Sequence, residues 1–124
     1  MICDSYLIIV KVNLESGEIS IIRMDVRERD ENCGSSRDFR TWLAEMVQCH
    51  MVYEEDIELL LKKADPDVLK KQFAEDKLQT VRIAYRHRVM DSYHNVMWEV
   101  VPDKEYSENQ PIVYLYVKDN LFNV

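Results

Sequence analysis

Glycine is nearly missing from this chain. Gly17 and Gly34 are the whole supply in 124 residues, whereas a phosphate-cradling loop needs several glycines close together so that backbone N–H groups can approach the anion. The Walker loop, the dinucleotide fingerprint and the Gly-x-Ser-x-Gly nucleophile elbow are excluded, and there is no His-Glu-x-x-His helix for a hydrolytic zinc. Cysteine is scarce as well. Cys3, Cys33 and Cys49 are odd in number and irregularly spaced, which suits reduced thiols better than a disulfide framework. Basic residues are outnumbered, 16 against 23 acidic ones, for a formal net charge of −7. Such a surface repels a phosphate backbone, so nucleic acid is not an expected partner. No apolar run approaches the roughly 18 residues of a membrane helix, and the start "MICDSYLIIVKV" has neither the basic flank nor the small-residue cleavage site of a secretion signal. The expectation is a cytoplasmic location, without membrane insertion in this segment.

What is present is enough for one core: 47% of the residues are apolar, and the length is near that of a common single domain. One domain over 1–124 is expected. "YLIIVKV" (6–12) and "EISIIRM" (18–24) are β-branched runs around "NLESG", whose Asn13, Ser16 and Gly17 supply turn chemistry. They read as a hairpin. The charged "DVRERDENCGSS" that follows is patternless and reads as a loop or ragged strand end. In "SSRDFRTWLAEMVQ" the spacing predicts a helix capped by Ser35 or Ser36, with Asp38 in its first turn and a buried stripe of Phe39, Trp42, Leu43, Met46 and Val47. A second helix carries Ile57, Leu60, Leu61 and Ala64, with Glu54, Glu55 and Asp56 in its first turn and Lys62 and Lys63 in its last. A third is capped by Asp65, opens on Pro66 and ends near Lys77. Three strands close the chain: "TVRIAYRHRV", "NVMWEVV" and "PIVYLYV", with "MDSYHN" and "PDKEYSENQ" as turns. The order favours an α+β domain with an antiparallel sheet.

Strands on either side of inserted helices, together with "VNLESGEI" as first hairpin turn, "MVYEEDIELL" as a helix start, Trp98 in the penultimate strand and Asp119 after the last, resemble a PAS domain. The flavour is that of modules found N-terminal to GGDEF diguanylate cyclase domains. Tyr53 and Glu54 stand where that family often has His-Pro, and "KDNLF" replaces its usual Asp-Ile-Thr. The resemblance implies a PAS-like five-stranded antiparallel sheet with helices between strands 2 and 3. It further implies a non-catalytic sensory or regulatory domain of a bacterial signal-transduction protein, covalently attached to an output domain and able to form a homodimer. The expected dimer surface is "VYLYV", with Tyr114 and Tyr116. A histidine kinase output and a stand-alone ligand-binding or scaffold protein are the alternatives.

Several residues invite a chemical reading. Consecutive helical positions diverge by about 100°, so Glu54, Glu55, Asp56 and Glu58 cannot converge on one ion, and dipole stabilisation is the favoured account of them. Cys49 beside His50 lacks the second pair that a zinc site needs. His87 on its strand and His94 in the next turn could meet across a hairpin, where a hydrogen-bonded ring is commoner than a ligand. No metal site and no cofactor is therefore expected. Arg82, Arg86 and Arg88 share one strand face, either solvated or receptive to an anion. Phe39, Trp42, Met46, Tyr85, His87, Trp98 and Tyr114 are the residues from which a small-molecule cavity would be lined, or with which it would be filled. Asp119 is the expected signal relay, with little bearing on stability.

Overall fold

The computed structural model describes residues 6–25, 36–76 and 78–119. Two strands, β1 (Tyr6–Asn13) and β2 (Ile19–Met24), precede three helices, α1 (Phe39–Gln48), α2 (Ile57–Lys63) and α3 (Pro66–Glu75). The strands β3 (Val81–Val89), β4 (Ser92–Pro102) and β5 (Ile112–Asp119) follow. They form one sheet in the order β2-β1-β5-β4-β3, with every neighbouring pair antiparallel. The last strand therefore lies at the centre, between the first and the fourth.

The β1–β2 turn explains one of the two glycines. Asn13 Oδ1 accepts the backbone N–H groups of Glu15 and Ser16, and Gly17 then turns the chain at φ +82°, a left-handed conformation that costs glycine nothing. A Cβ at Gly17 would lie 2.6 Å from Asp38 Oδ1. That aspartate, rather than Ser35 or Ser36, is the N-cap of α1. Its Oδ2 accepts from the Thr41 N–H at 3.1 Å and the Thr41 hydroxyl at 2.9 Å, whereas Ser36 Oγ accepts the N–H of Asp38 one step earlier. Ser35 lies outside the described residues. Asp38 wins because its carboxylate reaches the third helical N–H from an extended backbone.

At α3 the expected start holds: Asp65 accepts the Asp67 N–H and Pro66 opens the helix. The helix stops at Glu75, with Asp76 extended; Lys77, the expected end, is outside the described residues. The β3–β4 turn is tighter than "MDSYHN" suggests. Met90, at φ 58°, and Asp91 suffice, so Ser92, Tyr93 and His94 belong to β4.

One sheet face packs under the helices. Val10, Val12, Ile83, Val96, Val100, Val113, Leu115 and Val117 meet Phe39, Trp42, Leu43, Met46, Leu60, Leu69 and Phe73 in a single buried cluster. The helical stripes are narrower than the spacing predicts. Val47 and Ile57 are half-buried and Leu61 is 40% exposed, because α2 has only seven residues and presents chiefly Leu60 to the core.

Candidate functional site

Six of the seven expected cavity residues come together on the inner sheet face. Phe39, Trp42, Met46, Tyr85, His87 and Trp98 are all buried. The rings of Phe39, Trp42 and Trp98 lie against one another with centroids 6.1–6.4 Å apart, so aromatic carbon occupies the space between helix and sheet. Tyr114 is elsewhere. In β5 the inward residues are Val113, Leu115, Val117 and Asp119, which sends Tyr114 and Tyr116 to the outer face, where Tyr116 packs on Tyr6 at 5.6 Å.

A polar chain runs through this apolar layer. Trp98 Nε1–H donates to the Tyr85 hydroxyl at 3.0 Å, and that hydroxyl lies 2.6 Å from His87 Nδ1. An indole N–H can only donate. The Tyr85 oxygen therefore accepts it, and the same hydroxyl is paired with Nδ1, as donor or acceptor according to the tautomer of His87. His87 and Trp98 are both 0% exposed, so these hydrogen bonds are what make a polar ring tolerable there.

A second polar chain ties the end of β5 to the hairpin. His94 Nδ1 is 3.1 Å from Asp119 Oδ2, and His94 Nε2 is 3.0 Å from Ser92 Oγ. The connectivity is that of a Ser-His-Asp triad, yet Ser92 sits exposed beside the two-residue turn, open to the water that such chemistry must control. Its evident effect is mechanical: it fastens β5 to β4. Asp119 is 6% exposed. It is the last residue of β5, which corrects the expectation that it follows the last strand.

The third cluster was invisible in the sequence. Helix α1 ends with His50 at φ 59°, and the Met51 N–H reaches back to the Met46 carbonyl at 2.9 Å, a Schellman-type stop. This swings residues 51–53 alongside the free edge of β3. Arg88 N–H donates to Met51 O at 2.8 Å and Tyr53 N–H to Arg86 O at 2.9 Å. Glu54–Asp56 then form a single 3-10 turn. Asp56 Oδ2 accepts from the Arg86 backbone N–H at 2.8 Å and from Nε at 2.9 Å, while Oδ1 accepts from Nη2 at 2.9 Å. The guanidinium also lies 3.9 Å from the centre of the Tyr53 ring. Its hydrogen bonds hold the Asp56 carboxyl below the ordinary 3.8, against the opposing effect of burial. Reciprocally, the Arg86 pKa is raised, first by the same hydrogen bonds.

The three arginines of β3 are thus already engaged, Arg82 with Glu99 at 3.4 Å and Arg88 with the Cys49 carbonyl at 3.2 Å. Among the described residues, no group of three or more His, Cys, Asp or Glu side chains is placed to hold a metal ion.

A pH dependence follows from Asp56. Because its pKa is lower folded than unfolded, its contribution is fully present above 3.8 and is lost as the pH falls through the folded-state value. Asp56→Ala should cost about 1–2 kcal/mol in urea unfolding at neutral pH, discounted for partial exposure. The variant should also show a shallower loss of stability on acidification. Parallel wild-type and variant curves as the pH falls from 3.8 to the folded-state value would contradict the assignment.

Near the β3 edge, Val47, His50, Val52, Tyr53, Glu54, Glu55, Ile57 and Tyr93 line a cleft of about 570 Å³. Val47, Val52 and Ile57 give it an apolar part, and Glu54 and Glu55 an acidic one. Tyr53 and Tyr93 meet edge to face with centroids 5.2 Å apart, and the Tyr93 hydroxyl donates to the His50 carbonyl at 2.8 Å.

No family profile matches the sequence, and no curated protein is significantly similar to it. Among solved structures, the fold is similar to the crystal structure of the N-terminal domain of a diguanylate cyclase with PAS/PAC sensor from Marinobacter aquaeolei. The TM-score is 0.59 at 13% identity, over 94% of this chain and 96% of that one. At that identity the likeness is one of fold. The five-stranded antiparallel sheet with its inserted helices is PAS-like, and no helix among the described residues is long and apolar enough to cross a membrane.

Proposed function

We propose that this chain is a cytoplasmic, non-catalytic sensory domain of a bacterial signalling protein, and that it controls an attached output domain, a GGDEF diguanylate cyclase in the first instance. The observation that carries this reading is the similarity of fold, over nearly the whole of both chains, to the N-terminal domain of a diguanylate cyclase. Two features of the chain suit the role. The strand that leads toward residue 124 is the central one of the sheet, hydrogen-bonded on both sides. Its last described residue, Asp119, is fastened to His94. A signal that favours one arrangement of β5 over another shifts what is joined to it, whereas a signal bound equally by both shifts nothing.

The test begins with the reading frame beyond Val124 and continues with the intact protein. Synthesis of cyclic di-GMP is measured with and without residues 1–124. A cyclase frame, and a rate altered several-fold by the deletion, are expected. A stop codon immediately after Val124, or equal rates, would overturn the proposal.

A further inference from the structure

We propose that the cleft near the β3 edge binds a small organic cation, an amine or quaternary ammonium carried on a short apolar body. The proposal stands apart from the sensory reading, because this cleft is lined by residues of the α1–α2 connection and Tyr93, and not by the aromatic rings of the inner sheet face.

Three properties of the cleft favour that class. Its volume of about 570 Å³ is that of a small-molecule site, with the apolar part already described. Its walls are the rings of Tyr53 and Tyr93, and aromatic faces attract cations through their quadrupole. One face of Tyr53 already carries the Arg86 guanidinium at 3.9 Å, so the Tyr93 ring is the one offered to a ligand cation. Finally, the charge of the lining is negative. Asp56 neutralises Arg86 through hydrogen bonds from its guanidinium. Glu55 reaches the same guanidinium at the longer distance of 3.6 Å with its side chain largely exposed. Glu54 adds a second exposed carboxylate, and neither lysine nor arginine lines the cleft. An anion would meet repulsion, and a neutral apolar molecule would make no use of the Glu54 carboxylate.

The walls are also held in place before any ligand arrives. The Schellman-type stop at His50, the pairing of residues 51–53 with β3 and the Tyr93 hydroxyl bond to the His50 carbonyl fix both sides, which limits the ordering cost of binding.

Choline and its neutral isostere 3,3-dimethyl-1-butanol serve as probes, titrated into the protein while the Tyr53 and Tyr93 ring resonances are followed by NMR. Choline should move them saturably, with a Kd on the order of 1 mM, and the alcohol should bind roughly tenfold more weakly. Sodium chloride at matched ionic strength should move neither. The double variant Glu54→Gln, Glu55→Gln should keep the fold and lose roughly tenfold in choline affinity, and Tyr93→Leu should abolish saturation. Equal binding of choline and the alcohol, unchanged affinity in the double variant, or no saturable shift with choline would each overturn the proposal.

Discussion

Trp98→Ala is expected to destabilise the protein by about 3–5 kcal/mol, the range for truncating a buried aromatic in a packed core. This corresponds to a Tm lower by roughly 10–20 °C for a domain of this size. The indole is 0% exposed, packs against Phe39, Trp42 and Tyr85, and sits on β4 opposite Val117 of the central strand. Its removal opens a cavity between helix α1 and the sheet and takes away the donor to the Tyr85 hydroxyl. Thermal melting monitored by circular dichroism checks this, with Leu78→Ala as the control, since Leu78 is 89% exposed. A Trp98→Ala protein that melts with the wild type would show that the indole is not in the core.

The next largest effect is expected from the loss of one oxygen atom. Tyr85→Phe keeps the ring and removes the hydroxyl that accepts from Trp98 Nε1–H and meets His87 Nδ1. Two buried polar groups lose that partner, at about 1–3 kcal/mol each. Chemical denaturation gives the cost. The ¹⁵N shifts of the imidazole give the mechanism: Tyr85→Phe should move the Nδ1 resonance of His87 more than that of Nε2, because Nδ1 is the atom that meets the hydroxyl. A Tyr85→Phe protein as stable as the wild type, or an unmoved Nδ1 resonance, would contradict the hydrogen-bonded chain.

Much of this architecture was legible because local rules and tertiary structure agree. Phe39, Trp42 and Met46 fall on one helical face and are buried together, and Asp65-Pro66 announces its helix in the way the structure uses it. Where the reading faltered, long-range chemistry decided. Nothing in "YEED" indicates that Asp56 will face Arg86, 30 residues away, since the encounter requires the left-handed turn at His50 to bring that segment to the β3 edge. The carboxylate run reads as dipole compensation from sequence; in the fold one member is an ion-pair anchor and two border a cleft. Tyr114 reads from sequence both as a cavity residue and as part of an outer apolar surface, because "IVYLYV" is apolar at every position and period-2 alternation cannot choose a face when both look alike. In the fold the choice is plain: Asp119 shares the parity of Val113, Leu115 and Val117 and lies inside, where His94 meets it. The cleft itself had no sequence signal, because its walls come from a turn and a strand about 40 residues apart that are joined by the bond from Tyr93 to His50.

The coupling of β5 to an output is the claim on which the functional account turns. Its most direct test is the rate of cyclic di-GMP formation by the intact protein carrying Asp119→Asn, which removes the carboxylate charge at His94 with little change of shape. The assay is run at a temperature where thermal melting shows both wild type and variant folded. Allosteric couplings of 1–3 kcal/mol correspond to changes of about 5-fold or more, and a shift of that size, in either direction, is the predicted result. A variant that is folded, carries its cyclase domain and synthesises product at the wild-type rate would contradict the account.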